Sequence, residues 1–199
     1  MPVTEHYFSA EPVAPARIRE VSFDLGGRHY TLSASGGVFS AGRLDPGTSV
    51  LLRKGELPGA DAEGTLLDLG CGYGPIARVL ATVAPKAKVW AVDVNSRARE
   101  LAALNTKGLN VVVAEPEGVP PEIKFDEIWS NPPIRVGKAE LHGLLEKWLP
   151  CLSDDGVAWL VVSKHKGADS LQGWLEEQGW GARRHASAAG FRVLKVVRA

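Results

Sequence analysis

Residues 65–75 read T-L-L-D-L-G-C-G-Y-G-P. An apolar run ends in an acid, Asp68. Three glycines follow at alternate positions, Gly70, Gly72 and Gly74, and an apolar helical pattern begins at Ile76. This is the order of a buried parallel strand, a tight turn and a helix N-terminus. Glycine is required in such a turn, where the backbone takes φ > 0 or passes close to a ligand. Open α/β sheets bind nucleotide-like ligands at this place, outside the carboxyl end of the first strand.

Strands and helices alternate from there on. The pattern predicts strands near 65–69, 88–93, 110–114, 125–130 and 156–163, and helices near 75–84, 96–106, 138–150 and 168–178. Such alternation argues for a parallel sheet with helices on both faces. The ending differs. W-G-A-R-R-H-A-S (180–187) and F-R-V-L-K-V-V-R (191–198) are consecutive strands with a short connection, and so antiparallel neighbours.

Upstream, residues 17–25 alternate apolar and polar, Gly26-Gly27 turns, and R-H-Y-T-L returns, which reads as a β-hairpin. G-G-V-F-S (36–40) is a strand or an extended turn. Asp45-Pro46 starts a short helix, with Asp45 as N-cap, that runs to Lys54 and stops at Gly55. Residues 1–60 are therefore expected to be a strand-rich extension without its own core, and residues 61–199 the α/β domain.

Charge excludes little. Lys and Arg number 23 and so do Asp and Glu, so bulk electrostatics announce no nucleic-acid partner. From Gly156 to the end, however, seven basic residues face three acids. No apolar run approaches the roughly 18 residues of a membrane span. The first residues, M-P-V-T-E-H-Y-F-S, lack a signal-peptide pattern. Cys71 and Cys151 form neither a disulfide framework nor a metal spacing. A protein of the reducing cytoplasm, without a metal and monomeric, is the expectation.

Two further motifs carry chemistry. Asp93 ends the second strand about 20 residues beyond the glycine loop, where a ribose-binding carboxylate belongs. Its alternative use is as a helix cap, a task that Asn95 or Ser96 can also perform. The third glycine comes one residue earlier than in the dinucleotide fingerprint G-x-G-x-x-G, which speaks against a hydride-transferring enzyme. Asn131-Pro132-Pro133-Ile134 follows the fourth strand directly. The prolines remove two backbone donors and hold the chain extended, leaving the Pro132 carbonyl fixed in direction. Together with the Asn131 side-chain oxygen it makes two acceptors facing one space, suited to gripping both hydrogens of a planar –NH2. That grip orients the nitrogen lone pair towards an electrophile, which is catalysis by positioning.

In combination these segments resemble class I S-adenosylmethionine-dependent methyltransferases, specifically the methyltransferase-small family of rRNA guanine-amine enzymes. The residues that carry the likeness are H-Y-F-S (6–9), G-V-F-S (37–40), L-D-P-G-T (44–48), L-D-L-G-C-G-Y-G-P-I (67–76), V-D-V-N-S-R-A (92–98), F-D-E-I-W-S-N-P-P-I-R-V-G-K (125–138) and G-F-R-V-L (190–194). The resemblance implies a Rossmann-like, seven-stranded, mostly parallel sheet with an antiparallel last strand. It implies that Asp68, Gly70, Cys71, Gly72 and Gly74 cradle the methionine part of S-adenosylmethionine, and that Asp93, with Val94 beside it, takes the ribose. Glu115 fits the adenine-side acid, with Glu117 close enough to compete. Asn131 to Ile134 would form the amine site, Asn131 also bordering the cofactor.

Position 134 is aliphatic where many amine methyltransferases carry an aromatic ring, so Tyr7 or Phe39 is the candidate to stack on a base. Arg135, Lys138 and Lys164 are candidate RNA contacts. The function implied is methylation of a guanine amine in small-subunit (16S) rRNA, with rRNA or the small ribosomal subunit as partner. Methylation of another planar amine, a protein glutamine or an adenine, is the alternative. A non-catalytic cofactor-binding factor for ribosome assembly is a second.

Overall fold

The computed structural model describes residues 18–35, 43–132 and 137–199, the Lys166 side chain excepted. Tyr7, Phe39, Pro133, Ile134 and Arg135 lie outside the described residues, as do the segments H-Y-F-S and G-V-F-S. In chain order the elements are β1 (Ile18–Leu25), β2 (Arg28–Ser35), α1 (Pro46–Lys54), β3 (Thr65–Leu69), α2 (Pro75–Val83), β4 (Lys88–Val92), α3 (Ser96–Asn105), β5 (Val111–Ala114), β6 (Phe125–Ser130), α4 (Lys138–Trp148), β7 (Leu152–Ser163), α5 (Ala168–Glu177), β8 (Trp180–Ala188) and β9 (Phe191–Arg198).

Strands β3 to β9 form one sheet in the order β5-β4-β3-β6-β7-β9-β8. β3 pairs in parallel with β4 on one side and β6 on the other. β9 is antiparallel to both of its neighbours, β7 and β8. This is the predicted seven-stranded sheet with an antiparallel last strand. The chain leaves β3 first to one side and later returns to the other, so the topological switch falls between β3 and β6. Ligands bind at such a point, beyond the carboxyl ends of the strands.

Each face of the sheet has its own core. On one side Leu66, Trp129, Trp159, Val161 and Val193 pack beneath α1, α2, α3 and the β1–β2 hairpin. On the other, Leu67, Leu69, Ile128, Leu160 and Leu194 pack beneath α4 and α5. The period-2 alternation of β3 divides its leucines between the two. The helices meet these faces with apolar residues at helical spacing: Ile76, Val79 and Leu80 on α2, Leu141, Leu145 and Trp148 on α4, Leu171 and Leu175 on α5. Full burial of each such side chain is worth about 1.5–3 kcal/mol.

The N-terminal segment belongs to the first of these cores. Val21, Tyr30, Leu32 and Ala34 of the hairpin and Val50, Leu51 and Leu52 of α1 are buried in it. α1 begins as predicted, Asp45 accepting the Thr48 amide at 2.9 Å with Pro46 at the first helical position. It ends at Gly55, where a Cβ would lie 2.7 Å from the Trp129 ring, so no larger residue fits there without displacement. Two boundaries differ from expectation. β7 starts at Leu152, four residues before the predicted 156, because Leu152 already pairs with Phe125 and the loop-like S-D-D-G forms the register shift before Val157 pairs with Glu127. α4 ends at Trp148, and Leu149–Cys151 tightens into a 3-10 turn at Pro150.

Candidate active site

Five parallel strands bring their carboxyl ends to one edge, and the predicted site residues follow them: Gly70 after β3, Asp93 after β4, Glu115 after β5, Asn131 after β6 and Lys164 after β7. Three hydrogen bonds lock neighbouring ends together. The amides of Gly70 and Cys71 donate to the Val92 carbonyl at 2.9 and 3.0 Å. The Ser130 hydroxyl donates to the Leu69 carbonyl at 2.8 Å, which sets Asn131 beside the glycine turn.

Gly70, Gly72 and Gly74 all lie in the left-handed region, at φ 73°, 56° and 84°. Their surroundings differ. A Cβ on Gly70 would meet nothing within 4 Å, whereas on Gly74 it would lie 3.1 Å from the Ala102 Cα. Gly74 thus permits close packing of α2 on α3, and Gly70 leaves open space at the strand end.

Asp68 is fully buried. Its Oδ2 accepts the Ala77 amide, in the first turn of α2, at 2.8 Å, while Oδ1 has no hydrogen-bond partner. Burial pushes its pKa up to about 8, the Ala77 amide opposing and the nearby Asp93 adding. An acid oxygen without a partner beside an open glycine turn fits a cationic ligand group, whose positive charge would hold the acid ionised. The Cys71 thiol is buried, and burial with the two acids pushes its pKa well up, so it serves packing rather than nucleophilic chemistry.

Asp93 accepts two backbone amides, Gly72 on Oδ2 at 2.8 Å and Asn95 on Oδ1 at 2.9 Å. The cap of α3 is Asn95, which accepts the Ala98 amide at 3.0 Å, so Asp93 does not perform that task. Val94, beside it, is 43% exposed, an apolar surface at the ligand edge. Arg99 donates to the carbonyls of Asp93 and Val94 and lies 3.7 Å from Glu115. Glu117 turns away to Lys147. Of the two competing acids, Glu115 shares Arg99 with the carbonyls of Asp93 and Val94.

Asn131 donates its side-chain nitrogen to Asp45 Oδ1 at 2.7 Å and to Thr48 Oγ1 at 3.1 Å. Tyr73 of the glycine turn is buried nearby with its hydroxyl unpartnered, and burial raises its pKa with the Asp45 charge adding. Sequence reasoning makes Asp45 a helix cap and places it with Thr48 in L-D-P-G-T (44–48), but links neither to Asn131. The pair reaches Asn131 across 83 to 86 residues, which no local pattern reveals. It also missed Asn105, whose amide takes the Ser33 amide at 2.8 Å and donates to the carbonyls of Ser33 and Tyr73 at 2.8 and 2.7 Å. That side chain ties the hairpin to the glycine turn. Lys138 and Lys164 are exposed, Lys138 donating to Ser170 at 3.1 Å.

The chain matches the family described as the methyltransferase small domain over residues 29–195. YbxB of Bacillus subtilis is 36% identical over 181 residues, covering 88% of this chain and 89% of that protein. Ribosomal RNA small subunit methyltransferase C of Aeromonas hydrophila is 39% identical over 128 residues, 62% of this chain and 36% of that one. Among solved structures, the T. thermophilus 16S rRNA N2 methyltransferase RsmC, in complex with AdoMet and guanosine, superposes with a TM-score of 0.79 at 27% identity over 94% of this chain. The chain spans 52% of the length of that enzyme. No helix among the described residues is long and apolar enough to cross a membrane. The chain belongs to the methyltransferase small domain family, and it is an S-adenosylmethionine-dependent methyltransferase.

Proposed function

We propose that the chain transfers a methyl group to the exocyclic amine of a guanine in small-subunit rRNA. The observation that carries this reading is the placement of Asn131-Pro132 beside the glycine turn, fixed by the Ser130–Leu69 hydrogen bond. On this reading the Asn131 side-chain oxygen and the Pro132 carbonyl are the two acceptors that would meet the amine beside the cofactor's methyl group. The guanosine in the T. thermophilus relative supports the same acceptor class.

The cofactor, when bound, supplies an electrophilic methyl group on a sulfonium. Asp68 would pair with its cationic amino-acid end and Asp93 would take the ribose hydroxyls. Val94 would pack against the adenine, and Glu115 would receive the adenine amine. Asn131 Oδ1 and the Pro132 carbonyl accept the two hydrogens of the guanine amine and aim its lone pair at the methyl. A neutral amine needs no strong base before transfer, since its proton leaves to water afterwards. A paired base must be flipped out of its duplex to reach Asn131, and Lys138 and Lys164, with Arg135, hold flanking phosphates.

The test is methyl-labelled S-adenosylmethionine incubated separately with small ribosomal subunits and with protein extract, both from cells lacking the gene. The expected result is label on a guanine amine of the subunit rRNA. Label on adenine or glutamine, or none at all, overturns the proposed acceptor.

A further inference from the structure

Asparagine is an ambiguous catalytic group: one end donates and the other accepts, and the two ends have nearly the same shape. An acceptor role for Asn131 requires something to hold its amide the right way round. The network around it does so. Asp45 carries a carboxylate, which when ionised only accepts, so the amide end facing it must be the nitrogen. Its Oδ1 lies 2.7 Å from Asn131 Nδ2, the short distance of a charge-assisted bond. Thr48 Oγ1 takes the second contact from the same nitrogen at 3.1 Å. With both amide hydrogens engaged, Oδ1 is the end left to meet a ligand.

Asp45 is itself immobilised, because the Oδ1 atom that receives Asn131 also accepts the Thr48 amide at 2.9 Å. Gly47 keeps room for the arrangement. A Cβ there would lie 3.0 Å from Asp45 Oδ1, 3.2 Å from Asn131 Nδ2 and 3.1 Å from Phe191 Cε1. The first turn of α1 is thus shaped around the Asn131 amide, although it lies upstream of the glycine turn.

We infer that Asp45 and Thr48 are positioning residues that fix the Asn131 side-chain oxygen as an acceptor, so that the site accepts only a donor such as –NH2. This inference rests on the amine-transfer reading above. It makes the N-terminal segment part of the transfer machinery as well as part of the core.

Serine caps a helix about as well as aspartate, but its neutral hydroxyl can donate as well as accept, so Asp45→Ser keeps the cap and removes the acceptor-only partner that orients the Asn131 amide. The Asn131 side-chain amide is observed by 15N–1H NMR of the full chain without substrate, alongside steady-state transfer and cofactor affinity. In the wild type both amide protons are expected to be shifted by their hydrogen bonds and slow to exchange. In Asp45→Ser the shift of at least one collapses, and kcat falls by about 10²-fold with cofactor Kd unchanged, the scale of a misplaced reacting group. Thr48→Val shows a smaller loss of the same kind, and Asp45→Asn, which keeps an acceptor oxygen, restores most of kcat. Unaltered Asn131 resonances in Asp45→Ser, or a kcat loss that Asp45→Asn does not restore, overturn the inference. The NMR result does not depend on the acceptor, so absence of label on guanine in the wild type overturns only the proposed function.

Discussion

Gly72 donates its amide to Asp93 Oδ2 at 2.8 Å, so the acid after β4 is bonded to the glycine turn after β3 within the protein itself. With the Asn95 amide on its other oxygen, Asp93 holds the ends of two strands in register. It is therefore both part of the scaffold and a proposed ligand for the ribose.

Asp93→Ala is expected to show both roles. Loss of a buried charged acceptor for two amides costs about 2–3 kcal/mol of stability, and cofactor affinity falls at least about tenfold, or about 1.4 kcal/mol. Urea unfolding and titration calorimetry measure the two separately. Cofactor affinity equal to wild type contradicts the ribose assignment.

Asp68 predicts a pH dependence with a definite sign. Its folded-state pKa of about 8 lies above the ordinary carboxylate value of 3.8. Between those values the folded protein retains a proton that the unfolded chain has lost. The stability associated with Asp68 is therefore fully present below the lower value and is lost as pH rises towards 8, by at most about 1.4 kcal/mol per pH unit. Asp68→Asn should flatten this slope in urea melts compared at pH 5 and pH 8. Pairing with the cofactor's cationic end requires the ionised acid, so binding below pH 8 releases a proton. Calorimetry in buffers of different ionisation enthalpy should detect that proton in the wild type and miss it in Asp68→Asn.

The glycines of the turn should separate strain from ligand clearance. Gly70→Ala carries only the left-handed backbone cost, about 1–2 kcal/mol, since its Cβ meets nothing within 4 Å. Its main effect is weaker cofactor binding, as the methyl group enters the proposed ligand space. Gly74→Ala adds a collision with the Ala102 backbone, for a total of about 2–5 kcal/mol. Thermal melts should rank Gly74→Ala as the less stable, and a reversed order would contradict this division.

Asn105→Ala removes the clamp between hairpin and glycine turn and leaves the backbone groups of Ser33 and Tyr73 unpaired. A loss of about 2–3 kcal/mol is expected, with faster amide hydrogen exchange at Ser33. Unchanged exchange there would show that the hairpin is held by apolar packing alone.

The features legible in the sequence were those written in adjacent residues. Thr65–Leu69 could be placed because an apolar run meets glycines, and Asn131 because prolines follow a strand. The antiparallel ending followed from two strands joined by Ala188, Ala189 and Gly190. Features that depend on distant side chains were hidden. The different partners of Glu115 and Glu117, Arg99 and Lys147, are set by distant residues, and Asn95 displaced Asp93 as the cap only once both hydrogen bonds were visible. Asp45 is the sharpest case: its local role as a helix cap was readable and sufficient, which concealed its contact with Asn131.

The most direct measurement of the central claim compares wild type with Asn131→Ala on small ribosomal subunits from cells lacking the gene. Labelled rRNA nucleosides are identified by mass spectrometry, and cofactor affinity is measured in parallel. The account predicts N2-methylguanosine from the wild type. For Asn131→Ala it predicts a rate lower by at least about 10²-fold with cofactor affinity within about twofold, the pattern of an interaction made in the transition state. Label elsewhere in the wild type, or undiminished transfer by Asn131→Ala, would contradict it.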